Sequence, residues 1–144
     1  MALLCVLLVS KIGIAALSRA EVAEENRRDF SVYLDEFQTF TTLSLANMLA
    51  ELRKYRVGLV LVHQYLSQLD PKVRDAVLGN VGTVISFRVG SSDAEIREKE
   101  FYPELTAIDL VNLPNYHIYL KLMVDEVVSR PFSAAILSHF SSSA

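Results

Sequence analysis

The sequence predicts an α/β fold: a mostly parallel sheet with flanking helices and a carboxyl-terminal β-hairpin. Three observations carry that expectation. Helical and strand-like patterns alternate along the chain, as they do when helices pack on a sheet. Val57 to His63 (VGLVLVH) is a nearly unbroken apolar run, the pattern of a parallel strand buried on both faces. Near the carboxyl end, Ile118, Leu120, Leu122 and Val124 alternate with His117, Tyr119, Lys121 and Met123, as in a half-buried strand.

The elements follow in order. Residues 2 to about 19 are apolar all round, which predicts a buried helix. Its run from Ala2 to Ser10 is short of the roughly 20 residues that span a bilayer, so no membrane segment is expected. No positive charge precedes it and Lys11 interrupts it early, which argues against a signal peptide. EVAEENRRD (21–29) is a charged connection. Phe30 to Leu34 is a short β-prone run that stops at Asp35-Glu36. A second helix is expected from about Leu43 to Tyr55, with Leu45, Met48, Leu49 and Leu52 at helical spacing and Thr41 or Thr42 as cap. Asp70-Pro71 predicts a capped helix start, and Gly79 its end. Val81 to Phe87 is a third strand candidate. Ser92 and Glu95 suggest a capping box for a helix stopped by Pro103. A helical turn is expected near Thr106 to Leu110. Asp125-Glu126 then turns the last strand back into Val127 to Ala134, where Pro131 suits an edge.

No internal repeat or linker divides the chain, so residues 1–137 are expected to form one domain, with 138–144 a disordered tail. Apolar residues make up 51% and charged residues 22%, a globular balance. The net charge of -3 restricts any nucleic-acid surface to a local patch. Cys5 is the only cysteine, which excludes an internal disulfide; a buried apolar thiol is expected. No Cys/His cluster has metal-ligand spacing.

In open parallel sheets, ligands sit beyond the carboxyl ends of the strands. The first strand ends in Asp35 and Glu36, the second in His63 and Gln64, and the third in Phe87 and Arg88. A parallel sheet would bring all three along one edge. Apolar residues followed by Asp-Glu form a Walker B pattern, though an acidic turn after any strand reads the same way. In the functional reading, Asp35 holds Mg²⁺, usually through a water, and Glu36 orients or polarises an attacking water. Gln64 can sense a γ-phosphate through an uncharged hydrogen bond. His63 is expected to be structural, because no serine or cysteine nucleophile motif accompanies it. Tyr33, Phe37 and Phe40 flank a strand without interleaved basic residues, so core packing is expected rather than base stacking.

YLDEFQTF, NMLAELRKYRVGLVLVHQYLSQLD, GNVGTVISFRVG and LPNYHIYLKLMVD, in that order, resemble the conjugative coupling-protein ATPases. More narrowly, they resemble the TraG/TraD carboxyl-terminal segment of the HerA–FtsK superfamily, over residues 5 to 137. The resemblance implies part of a RecA-like P-loop NTPase core. It makes Asp35 and Glu36 the Walker B acids and Gln64 the sensor glutamine. It makes Arg53, within ELRKYR, the arginine inserted into a neighbour's site, where a guanidinium stabilises phosphate charge. A cation favouring the carboxyl end of its helix would look the same, and Lys54 and Arg56 serve that role equally. Arg88 is a second candidate for contact with nucleotide.

The resemblance also implies ATP and Mg²⁺ as cofactors, a hexameric ring with DNA at its centre, a cytoplasmic place at the inner membrane as part of a larger assembly, and a relaxosome or secretion-system protein as partner. The sequence departs from the pattern in one respect. G-x-x-x-x-G-K-[ST] does not occur, and none of the five glycines precedes a Gly-Lys pair. Two expectations follow: little or no hydrolysis by this chain alone, and an exposed edge or apolar face that favours association. The alternative function is a non-enzymatic module that recognises a relaxosome or secretion partner.

Overall fold

The computed structural model describes residues 2–137; the expected tail at 138–144 lies outside the described residues. The chain forms two compact units, Met1–Asn80 and Val81–Ala144.

In the first unit, α1 (Ala2–Leu17) runs into a 3-10 turn at Ser18–Glu21. Strand β1 (Phe30–Leu34) pairs in parallel with β2 (Val57–Leu61), in the register Phe30↔Val57 to Leu34↔Leu61. Between them lie a turn at Phe37–Thr39, α2 (Leu43–Glu51) and its 3-10 extension Leu52–Tyr55. After β2 comes α3 (Pro71–Leu78). Its start follows the sequence logic: Asp70 caps it, accepting a hydrogen bond from the Lys72 N–H at 2.9 Å, and Pro71 fills the first turn, where its missing N–H costs nothing. Among the described residues, Val9, Ala16, Val32, Leu34, Phe37, Ala46, Leu52, Val57, Leu66, Leu69, Val73 and Val77 are the buried hydrophobic side chains of this unit.

Two expectations about burial are corrected. Helix α1 is not buried all round. Val9, Gly13 and Ala16 share one buried face, and Gly13 lets the Met48 thioether of α2 approach the α1 backbone. Leu3, Leu4, Leu7, Leu8 and Ile14 are exposed, and Cys5 is only half-buried. The helical span from Leu3 to Glu21 also reaches 19 residues, long and apolar enough by length and composition to cross a membrane. The apolar run counted in the sequence stopped at Lys11; the helix does not. Strand β2 is likewise covered on one face only, since Gly58 and Val60 are exposed. An exposed apolar face, expected from the missing loop strand, is therefore present.

In the second unit, β3 (Val84–Ser86), β4 (His117–Lys121) and β7 (Phe132–Ala135) form an antiparallel sheet in the order β3-β4-β7. Helices α4 (Ser91–Phe101) and α5 (Ala107–Val111) lie between β3 and β4 in the chain. Val84, Ala94, Phe101 and Leu110 form the core, with Tyr119 packed against it. Asp93 and Arg97 are also buried. Burial pushes the Arg97 guanidinium below its ordinary pKa, and the Asp93 charge one helical turn away pulls it partly back. The expected Ser92–Glu95 box is absent: Gly90 is the cap of α4, with no side-chain hydrogen bond. A capping box does stand at Thr106–Asp109 and starts α5.

The α/β class holds, but the sheet is not mostly parallel. One pair is parallel and the rest of the described strands are antiparallel. The third strand candidate, β3, alternates buried and exposed residues, which suits an antiparallel sheet with one covered face. The expected carboxyl-terminal hairpin is β5 (Met123–Val124) with β6 (Val127–Val128). Its turn residues, Asp125 and Glu126, have φ of 48° and 65°. That is the mirror-image turn that matches strand twist, built here without the usual glycine. Pro131 precedes β7, an edge strand as expected.

Candidate functional site

The site forms where the parallel pair ends. Beyond the last ladder residues, the Val62 N–H donates to the Leu34 carbonyl at 2.8 Å and the Phe37 N–H to the Val62 carbonyl at 3.4 Å. The two segments thus stay hydrogen-bonded just past the strands, through Val62, which carries Gln64 to Glu36. Phe37 is wholly buried and meets the His63 ring edge-to-face at 5.4 Å between centroids. It anchors the turn from below. His63 is part of that packing, in keeping with its expected structural role. Tyr33, expected in the core, is 72% exposed.

Asp35 is exposed, and its Oδ1 accepts a hydrogen bond from the Glu36 N–H at 2.9 Å. Glu36 is in the left-handed region, with φ 49° and ψ 39°. For an L-residue other than glycine this conformation costs about 1–2 kcal/mol. The Glu36 carbonyl accepts from both the N–H and the hydroxyl of Thr39, at 3.0 and 2.9 Å. The result is a reversal of chain direction that turns the Glu36 carboxylate toward β2. Its Oε1 accepts from Gln64 Nε2 at 2.5 Å, and its Oε2 from Gln38 Nε2. Two carboxylates and two amides therefore meet at one strand end.

Of the residues singled out in the sequence, the fold brings Asp35, Glu36 and Gln64 together. Gln38 joins them and was missed. Its signal was its place two residues past the Asp-Glu pair, which has meaning only once Glu36 is known to be left-handed. Arg53 lies elsewhere. It sits in the 3-10 extension of α2 before the amino end of β2, about 16 Å along a five-residue strand from the acids. Arg88 follows β3 in the second unit. Because β3 pairs with β4 and not with β1 or β2, no hydrogen-bonded ladder carries Arg88 to Asp35, contrary to the expectation of three strand ends on one parallel edge.

The amino end of the parallel pair is built from arginine. Arg19 donates to the carbonyls of Tyr55 (2.9 Å), Arg56 (3.5 Å) and Arg28. Arg27 donates to the carbonyls of Arg19, Val22 and Lys54, and its guanidinium lies over the Tyr55 ring, 5.7 Å from the centroid. These contacts satisfy the last carbonyls of the 3-10 extension.

No group of three or more His, Cys, Asp or Glu able to hold a metal exists among the described residues. Mg²⁺ does not require one. It keeps several waters and is bound through one or two carboxylates plus substrate phosphates, so the exposed Asp35 fits in that role.

Residues 29–99 match the family model described as the TraM recognition site of TraD and TraG. The fold is similar to that of the bacterial conjugative coupling protein TrwBdeltaN70 in its trigonal form with sulphate. The TM-score there is 0.66 at 16% identity, over 88% of this chain and 35% of that one. The unbound monoclinic form gives a TM-score of 0.64 at 14% identity, over 88% of this chain and 36% of that one. The plasmid coupling protein TrwB in complex with the non-hydrolysable ATP analogue ADPNP gives a TM-score of 0.66 at 16% identity, over 88% and 34%. This chain thus spans about a third of the length of those structures. No curated relative matches it by sequence. Residues 29–99 thus resemble the TraG/TraD recognition segment, and most of the chain shares the fold of the conjugative coupling-protein structures.

Proposed function

We propose that this chain is the Walker B and sensor portion of a DNA-translocating ATPase of conjugative transfer or type IV secretion. The observation that carries the reading is the hydrogen bond from Gln64 to Glu36, which joins the sensor and the water-orienting acid at one strand end. Asp35 is the residue to hold Mg²⁺, which would neutralise phosphate charge when bound. Glu36 accepts hydrogen bonds and has the chemistry to orient a water. Gln64 carries no charge, so it can exchange its carboxylate partner for a phosphate oxygen.

Arg53, remote from its own chain's acids, is assigned to the site of a neighbouring subunit in a ring. A guanidinium there meets charge spread over phosphate oxygens. Arg88 is a second candidate for contact with nucleotide. The phosphate cradle must come from residues this sequence does not contain, so the chain alone is expected to hydrolyse ATP poorly or not at all. The assembled motor acts on DNA in the cytoplasm, at the inner membrane.

Titration of Mg·ATP by calorimetry into wild type and Asp35→Ala tests the reading. Binding by wild type that is lost in Asp35→Ala supports a competent half-site. Robust hydrolysis by the purified chain, abolished by Glu36→Gln, would overturn the claim of inactivity. Binding unaffected by Asp35→Ala would remove the acid from its role.

A second reading is supported by the family description itself: a surface within residues 29–99 that recognises a TraM-like relaxosome protein. It needs no phosphate loop. Its mark is partner binding that is the same with and without nucleotide.

A further inference from the structure

We infer that Gln38 is a positioning residue for Glu36. The inference rests on the reading of Glu36 as the water-orienting acid. One hydrogen bond to a carboxylate leaves the group free to rotate about its terminal torsion, which is broad and soft. Two hydrogen bonds, one to each oxygen, fix its plane. Gln64 takes Oε1 and Gln38 takes Oε2.

The Gln38 amide has a defined orientation for a chemical reason. With its oxygen and nitrogen exchanged, an acceptor would face an acceptor across the Glu36 carboxylate. The side chain is held there at a cost, because its own Oε1 is buried with no hydrogen-bond partner among the described residues. A buried orphan acceptor is unfavourable, so the donor end is the end that matters.

The two amides have different duties. Gln64 is exposed and comes from the segment after β2, so it is free to leave for an incoming phosphate oxygen. Gln38 lies within the same turn as Glu36 and is half-buried. It keeps the carboxylate plane while Gln64 changes partner.

The test uses the side-chain amide NMR signals of the nucleotide-free chain. Gln38→Met keeps size and shape, removes the donor and also removes the orphan acceptor. The expected result is an unlowered melting temperature, with the Gln64 side-chain amide shifted toward free-glutamine values and exchanging with solvent several-fold faster. A residue that only packs would leave both the melting temperature and the Gln64 signal in place, because methionine preserves the packing. Coincident Gln64 signals in wild type and Gln38→Met overturn the inference. Should Gln38→Met fail to fold, Glu36→Gln carries the test from the other side. It is expected to move the amide signals of both Gln38 and Gln64, and an unmoved Gln38 signal likewise overturns the inference. No nucleotide is present in these measurements. A failure to bind Mg·ATP therefore counts against the half-site reading alone, and an unmoved Gln64 signal counts against the clamp alone.

Discussion

At the amino end of β1 and β2, Arg19 and Arg27 direct their donors at backbone carbonyls of the segments that frame the strands. At the carboxyl end, Gln38 and Gln64 direct theirs at the Glu36 carboxylate, and Asp35 and Gln64 stay exposed. The same five-residue strands thus join a charged end that holds the chain together to a charged end that does not. Charge by itself did not distinguish them in the sequence. The distinction is what each polar group bonds to: backbone groups that must be satisfied, or side chains that could equally be solvated.

That contrast can be broken or sharpened by substitution. The largest effect is expected beneath the carboxyl end. Phe37→Ala removes a fully buried ring and should cost about 3–5 kcal/mol in urea denaturation. A loss under about 1 kcal/mol would mean that the Asp-Glu turn is not seated in a core at all. Next comes the amino end. Arg19→Ala removes charged donors from the Tyr55, Arg56 and Arg28 carbonyls and is expected to cost about 1.5–3 kcal/mol by the same measurement.

A carboxylate of the second unit supplies a control. Asp109 accepts from the Thr106 N–H and hydroxyl, which hold its pKa below the ordinary carboxylate value. A depressed pKa contributes stability above the unfolded value of about 3.9 and loses it as pH falls through the folded one. Melting temperatures should therefore fall more steeply below about pH 4 in wild type than in Asp109→Asn. Equal slopes would deny Asp109 its capping role. The smallest effect is expected from Glu36→Gln, within about 0.5 kcal/mol of wild type, because Gln64 is exposed and Gln38 only half-buried. A large loss there would make the carboxyl end structural and erase the contrast.

Local signals in the sequence gave most elements close to their observed bounds. The Asp70-Pro71 start of α3, the strand Phe30 to Leu34 and the stop before Pro103 depend on neighbours a few residues away, and such signals are read directly. The signals that misled depend on distant partners. The apolar run at β2 reads as buried on both faces, yet burial is decided by what packs on each face, and Val60 is exposed. Helix α1 erred in the same way. Strand β3 was identified and wrongly paired, because three residues of alternating burial say nothing about which strand lies beside them. The site was legible as Asp35, Glu36 and Gln64, since a strand end fixes direction. Gln38 was not, because its reach to Glu36 depends on a left-handed backbone angle that propensity does not favour for glutamate.

That backbone angle bears on selection. At φ 49°, glycine or asparagine would sit more comfortably than glutamate, and glycine would relieve about 1–2 kcal/mol. Neutral drift at position 36 therefore runs downhill, away from the carboxylate. A lineage that no longer used the acid would be expected to lose it early, while the buried phenylalanine beside it stayed for the sake of folding. The residue at position 36 across natural variants of this chain is thus a gauge of whether the half-site is still in use.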